Sequence, residues 1–232
     1  MISSQKFYHQ IIKPSLSRLA RLLILASKYH FLLKLRNKGR NNLFKLSWCS
    51  FVGSNISVKG DSNVVMVSCS AFVEGLFLSI KGSNNKVFIH DSVIFERGGA
   101  SIAIEDDFNI VIIKNGTVIV GNVHLACIEG TRISIGSHSL IAPAVVIRTG
   151  DSHSIYKDDI RINKSADVDI GNKVWVCQSA LILKGSSIGD NSVLAAGSIL
   201  TKSFYQPNLI LAGVPAQKVK DGIYWNSSRI CL

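Results

Sequence analysis

The first 60 residues contain no Asp or Glu, while they hold 11 Lys and Arg: Lys6, Lys13, Arg18, Arg21, Lys28, Lys34, Arg36, Lys38, Arg40, Lys45 and Lys59. From residue 61 onward acids and bases are equal in number, so the whole net charge of +11 belongs to the N-terminal quarter. A basic surface along the whole chain, as nucleic-acid binding would require, is therefore disfavoured. Long apolar runs are also missing. Between Phe7 and Lys45 no uncharged run, Leu22 to Ser27 included, exceeds six residues, far short of the roughly 20 that span a bilayer and too short for the apolar region of a signal peptide. The five cysteines (Cys49, Cys69, Cys127, Cys177, Cys231) are odd in number and include no CxxC. Neither a disulfide framework nor a zinc knuckle is indicated, and reduced thiols in a cytoplasmic protein are the simplest account.

What is present is a period. From Ile170 to Thr201 an aliphatic residue recurs every sixth position, at Ile170, Val176, Ile182, Ile188, Leu194 and Leu200. Small residues follow four positions later, at Val174, Ala180, Ser186, Ser192 and Ser198. A helix needs apolar spacing of three and four and a half-buried strand needs two, so a strict six belongs to stacked short strands joined by tight turns. Each repeat buries its aliphatic only against its neighbours. Gly and Asn at Gly171-Asn172, Gly185, Gly189-Asp190-Asn191 and Gly197 supply the turns. The rhythm begins at Ile135 and continues through Ile141 and Ile147, then fails, because 147 to 170 is not a multiple of six. Residues 149–169 must leave the stack as a protruding loop, where a rigid scaffold commonly carries function. Between Trp48 and Ile133 apolar residues fall mostly at even spacings, and the corner at Lys59-Gly60-Asp61-Ser62-Asn63 returns at Lys81-Gly82-Ser83-Asn84-Asn85.

The spacing of Ile12, Leu16, Leu19, Leu23, Ala26 and Leu33 predicts an amphipathic helix from about Ser15 to Arg36, ending near Asn37-Lys38-Gly39. Its apolar stripe either packs on the solenoid or a neighbouring subunit, or lies on an anionic membrane surface; flotation with anionic liposomes separates the two. The expected organisation is a basic helical extension over 1–46, a repeat domain over 47–225 and a tail over 226–232. Gly213-Val214-Pro215-Ala216 and the Ile223-Tyr224-Trp225 stretch read as a cap over the open end.

Within the loop, Asp151-Ser152-His153-Ser154 holds a histidine, a candidate general base because imidazole titrates near neutral pH. Asp151, Asp158 or Asp159 is available to orient it. The other histidines, His9, His30, His90, His124 and His138, read as helix, surface or corner residues, and their spacing gives no metal site.

These residues carry a resemblance. The Ile-Gly-x4 repeats, the Asp-Ser-His-Ser loop, IGNKVWVCQSALILKGSSIGDNSVLAAGSILTK and AGVPAQKVK resemble the hexapeptide-repeat acyltransferases, most closely the branch of maltose, galactoside, capsule and lipopolysaccharide O-acetyltransferases. The resemblance covers roughly residues 128–225. It implies an all-β fold, a left-handed parallel β-helix assembled as a homotrimer, with acetyl-CoA as co-substrate, no metal, and a sugar hydroxyl of a surface polysaccharide or its precursor as acceptor. It also implies that His153 is the general base, that Trp175 shapes the reacting centre, and that Gln178, Ala196, Thr201, Lys202 and Lys220 line the coenzyme groove. Cys177 stands where the family usually has Gly. A small free acceptor and a non-catalytic scaffold are the rival expectations. The location expected is cytoplasmic, with peripheral contact at the inner membrane face through residues 7–46.

Overall fold

The structure, a computed structural model, describes residues 33–46 and 51–228. Every regular element among them is a strand, and the strands wind into a parallel β-solenoid with three flat faces. Sheet I comprises Leu33–Lys38, Ser54–Lys59, Phe77–Lys81, Ala100–Glu105, Val123–Ile128, Val146–Arg148, Leu181–Ile182 and Ile199–Leu200. Sheet II runs from Leu43–Lys45 to Ser187–Ile188, and sheet III from Phe51–Val52 to Ile210–Gly213. The chain passes from I to II to III on each turn.

The period of six has a direct cause in this geometry. Ile170, Val176, Ile182, Ile188, Leu194 and Leu200 are each at most 3% exposed and point into the shared interior, where burial of one such side chain contributes about 1.5–3 kcal/mol. Ser186, Ser192 and Ser198 lie at interior corners, and their hydroxyls meet the backbone of adjoining coils: Ser192 Oγ accepts from Leu209 N at 3.0 Å and Ser198 Oγ from Gly213 N at 3.1 Å. The left-handed turn residues are not the ones that Gly171-Asn172 suggested. Lys173 carries the positive φ of 51°, whereas Gly136 and Gly171 are needed because adjacent coils approach closely: a Cβ on Gly136 would lie 2.3 Å from the Gly171 carbonyl carbon.

Early coils are wider than late ones. Asn55 pairs with Phe77 and His124 with Val146, 22 residues apart, while Leu181 pairs with Ile199, 18 apart. The repeated corner seen in the sequence is the I–II edge of the wide coils. There Asn63, Asn85 and Asn109 are buried, and each side-chain oxygen accepts the backbone N–H of the next member, at 2.9 Å from Asn85, 2.8 Å from Asn109 and 3.2 Å from Thr131. Such a ladder satisfies backbone groups that the turn would otherwise leave unpaired.

Two boundaries differ from the sequence reading. Of the helix expected over 15–36, residues 15–32 lie outside the described residues, and Leu33 to Arg36 belong to a strand paired with Ser54–Lys59. Parallel pairing with a neighbouring coil overrides a local helical pattern there. Leu43–Lys45 likewise joins sheet II, so regular stacking begins before residue 47. The protruding loop ends at Asp167 instead of Asp169, because Val168–Ile170 is already a sheet II strand. At the other end Ala216–Lys220 folds back antiparallel on Ile210–Gly213 and covers the last edge of sheet III. No helix among the described residues is long and apolar enough to cross a membrane.

Candidate active site

The loop leaves the stack after the sheet I strand Val146–Arg148 and returns to sheet II, so it stands on the I–II edge. Its roots are close together: Ala166 N donates to Thr149 O at 2.9 Å, and a Cβ on Gly150 would lie 2.1 Å from Ser165 Oγ. A side chain there would force the Ser165 and Ile128 side chains to move. The return leg is pinned by Arg132, whose backbone N–H donates to Asp167 at 2.9 Å and whose guanidinium pairs with Asp169 at 2.9 Å. Arg161 ties the outer part to Glu129 at 2.7 Å. The tip is a hairpin, Tyr156–Lys157 against Ile160–Arg161, turned by Asp158 and Asp159, both with positive φ as a type I′ turn requires.

Asn163 organises the histidine segment. It is 8% exposed, its amide donates to Asp151 Oδ2 at 2.9 Å and to the His153 carbonyl at 2.7 Å, and its oxygen accepts from Ile155 N at 2.7 Å. Lys184, one coil further along the same edge, pairs with Asp151 and donates to the Asn163 carbonyl at 3.1 Å. The Lys184 ammonium, with help from the Asn163 amide, holds the Asp151 carboxyl below its ordinary range against the opposing effect of burial. Of the three carboxylates available to His153, Asp151 is thus engaged in fixing the loop, while Asp158 and Asp159 form the hairpin tip. The His153 side chain is exposed.

Trp175 lies on sheet III, in the strand Trp175–Val176, and is 37% exposed. Its ring packs at 5.9 Å and 40° on Trp225, which is 9% exposed and donates its indole N–H to Lys173 O at 2.7 Å. The sequence reading placed Trp225 only in a cap; its position 50 residues from Trp175 gave no signal of the contact. In a three-sided prism sheet III is the face opposite the I–II edge, so a single chain holds His153 and Trp175 on opposite sides.

Gln178 and Ala196 meet on the III–I edge, where Gly197 N donates to Gln178 O at 3.0 Å, and both are exposed. Thr201 and Lys202 follow the last sheet I strand, on the I–II edge. Lys202 donates to Gln217 Oε1 at 3.0 Å and lies 5.2 Å from the Phe204 ring centroid. Lys220 ends the capping strand. Cys177 is half-buried beside Gln178, and burial pushes its thiol up to about 11. Two cavities of about 420 and 310 Å³ are lined by neither His153 nor Trp175.

No family model matches the chain. It is 35% identical over 191 residues to the polysialic acid O-acetyltransferase of Neisseria meningitidis, covering 81% of this chain and 87% of that protein. It is 36% identical over 109 residues to the galactoside O-acetyltransferase of Escherichia coli (strain K12), a match spanning 46% of this chain and 52% of the relative. Among solved structures, the polysialic acid O-acetyltransferase OatWY superposes with a TM-score of 0.77 at 31% identity, covering 85% of this chain and 92% of that one. With the coiled architecture and the repeat pattern already described, these similarities establish that the chain belongs to the hexapeptide-repeat O-acetyltransferases.

Proposed function

We propose that this protein transfers an acetyl group from acetyl-CoA to a hydroxyl of a surface polysaccharide, with a capsule polymer or its precursor as acceptor. The observation that carries this reading is His153, presented on the one excursion from the late, regular coils of a chain similar over most of its length to a polysialic acid O-acetyltransferase.

His153 takes the proton of the acceptor hydroxyl as its oxygen attacks the thioester carbonyl. The new C–O bond forms, the C–S bond breaks, and the proton passes to the departing thiolate. The residues proposed for the coenzyme stand on two edges of the prism, III–I and I–II. Gln178 and Ala196 lie on an edge where Ala195 to Gly197 present little bulk, and a Cβ on Gly197 would meet nothing within 4 Å. Thr201, Lys202 and Lys220 place hydroxyl and ammonium groups at the capped end for phosphate oxygens.

Assembly as a homotrimer, implied by the family resemblance, is part of the same proposal, and the separation of the two reacting-centre residues supports a site shared between protomers. Since His153 and Trp175 stand on opposite sides of one chain, a site using both takes them from different protomers. Exposed Ile155, Tyr156, Ile160 and Ile162 surround the loop hairpin and offer the neighbour an apolar surface.

The test is acetyl transfer by a His153→Ala variant, followed by thiol release and mass spectrometry of a capsule polysaccharide. Loss of general base catalysis lowers the rate by about 10²–10⁴-fold. Undiminished transfer overturns the assignment.

A further inference from the structure

The capping strand ends at Lys220, and Gly222, with a positive φ of 65°, turns the chain out of the cap. Residues 221–225 then run back along the edge between sheets II and III. That edge is a column of turns, one per coil, in which Asn208 N donates to Asp190 O and Asn191 N to Asn172 O, both at 2.9 Å. Ile223 N donates to Asn208 O at 3.2 Å, and the Trp225 indole N–H donates to Lys173 O at 2.7 Å. The tail thus passes from the turn at Asn208 to the turn at Lys173, two coils back from the capped end. Trp225 is 9% exposed while Tyr224 beside it is 85% exposed, so the tail is anchored through the Trp225 ring. The last edge of sheet III is already covered by Ala216–Lys220, which leaves Trp225 no part in closing it.

What Trp225 reaches is Trp175. The strand Trp175–Val176 has two residues, and the Trp175 indole stands on the outer face of sheet III. Leu140 and Val193 flank it in register along the stack. The Trp225 ring meets it from the II–III edge, at 5.9 Å between centroids and a 40° tilt, within the range that aromatic pairs favour. A partly exposed indole has several staggered rotamers open to it, and a side chain at a reacting centre works only when packing and hydrogen bonds hold the productive one. Trp225 acts on both parts of the problem: its N–H fixes the Lys173 turn that leads into the strand, and its ring fixes the Trp175 side chain.

We propose that Trp225 is a positioning residue for the reacting centre, holding the Trp175 indole in the one orientation that serves acetyl transfer. The proposal rests on the assignment of Trp175 to that centre and extends the functional unit to the C-terminal tail. Trp225 acts through Trp175, without contact of its own to coenzyme or acceptor.

Two readouts test this. Trp225 lies outside every strand, so its variants leave the pairing of the coils in place. In protein labelled with 5-fluorotryptophan, fluorine NMR reads Trp175 without any substrate. Wild type is expected to show one narrow Trp175 line, kept in Trp225→Phe, whose ring still meets Trp175, and broadened or split in Trp225→Ala, where several rotamers exchange. A Trp175 line in Trp225→Ala as single and narrow as in wild type overturns the proposal.

In acetyl transfer to polysialic acid, Trp225→Ala is expected to lower kcat by about 10- to 100-fold, the scale of a small misplacement at a reacting centre, with the KM for acetyl-CoA as in wild type. Trp225→Phe retains most of the wild-type rate. In a Trp175→Ala background, Trp225→Ala lowers kcat no further, because the ring it positions is gone. An equal loss in that background marks a separate structural role and overturns the proposal. So does a wild-type kcat in Trp225→Ala while Trp175→Ala is slow, a result that leaves the assignment of Trp175 standing. Trp175→Ala at the wild-type rate refutes that assignment, and the proposal with it. If wild type does not acetylate polysialic acid, that acceptor is excluded and the fluorine spectra alone decide the positioning.

Discussion

Single residues differ in how much of their role the surroundings supply. Cys177 is a departure from the glycine its relatives' motif leads one to expect, and its position next to Gln178 on the proposed coenzyme edge invites a reactive role. Burial argues against one, since it pushes the thiol up to about 11 and leaves almost no thiolate at neutral pH. Relative to an unfolded cysteine, alkylation of Cys177 by iodoacetamide near neutral pH is expected to be slower by on the order of a hundredfold, because each pKa unit changes the thiolate fraction tenfold. Mass spectrometry of the labelled peptide in native and urea-unfolded protein measures the ratio; equal labelling would refute an inert thiol. Trp175 shows the reverse case. Its sequence motif identified it, yet its neighbour Trp225 comes from the far end of the chain and was legible only as part of a cap.

At the scale of elements, the loop is a latched structure. Asp151, Asn163 and Lys184 close its base, with Arg132 and Arg161 holding the return leg. The sign of its pH dependence follows from Asp151. Lys184 and Asn163 depress the folded-state pKa, so this contribution is complete above the unfolded value of about 4 and fades as pH falls through the lower folded value. Asp151→Asn is expected to speed amide hydrogen exchange over residues 151–163 at neutral pH, with the difference from wild type disappearing only below about pH 4. Unchanged exchange at neutral pH would mean that the latch does not order the loop. The loop's existence was readable as a failure of the six-residue count. Its fastenings were not, because Lys184 is 33 residues from Asp151 and becomes its neighbour only when coils stack.

For the whole molecule, the central consequence is that one chain separates His153 and Trp175. His153→Ala and Trp175→Ala, each expected to lose activity by itself, are expected to recover part of the wild-type activity when unfolded together and refolded as mixed oligomers. A mixed interface in which the Trp175→Ala protomer supplies His153 and the His153→Ala protomer supplies Trp175 then pairs two intact residues, whereas the reverse arrangement lacks both. Acetyl transfer in the mixture, compared with each variant refolded alone, reads this directly; no recovery, with mixed oligomers present, would place both residues in sites built by one chain.

The sequence by itself determined the coiled stack, because burying one aliphatic per short strand imposes a period that no helix or isolated sheet can satisfy. It also determined where the stack is interrupted and which histidine the interruption carries. The tertiary structure alone decided which edge bears His153 and which face bears Trp175, that Leu33–Lys38 joins the solenoid as strand, and that Lys184 closes on Asp151. These depend on contacts between residues one or more coils apart, where each coil's width sets the neighbour. A local pattern fixes which side of a strand faces inward, while only the completed winding fixes what stands beside it.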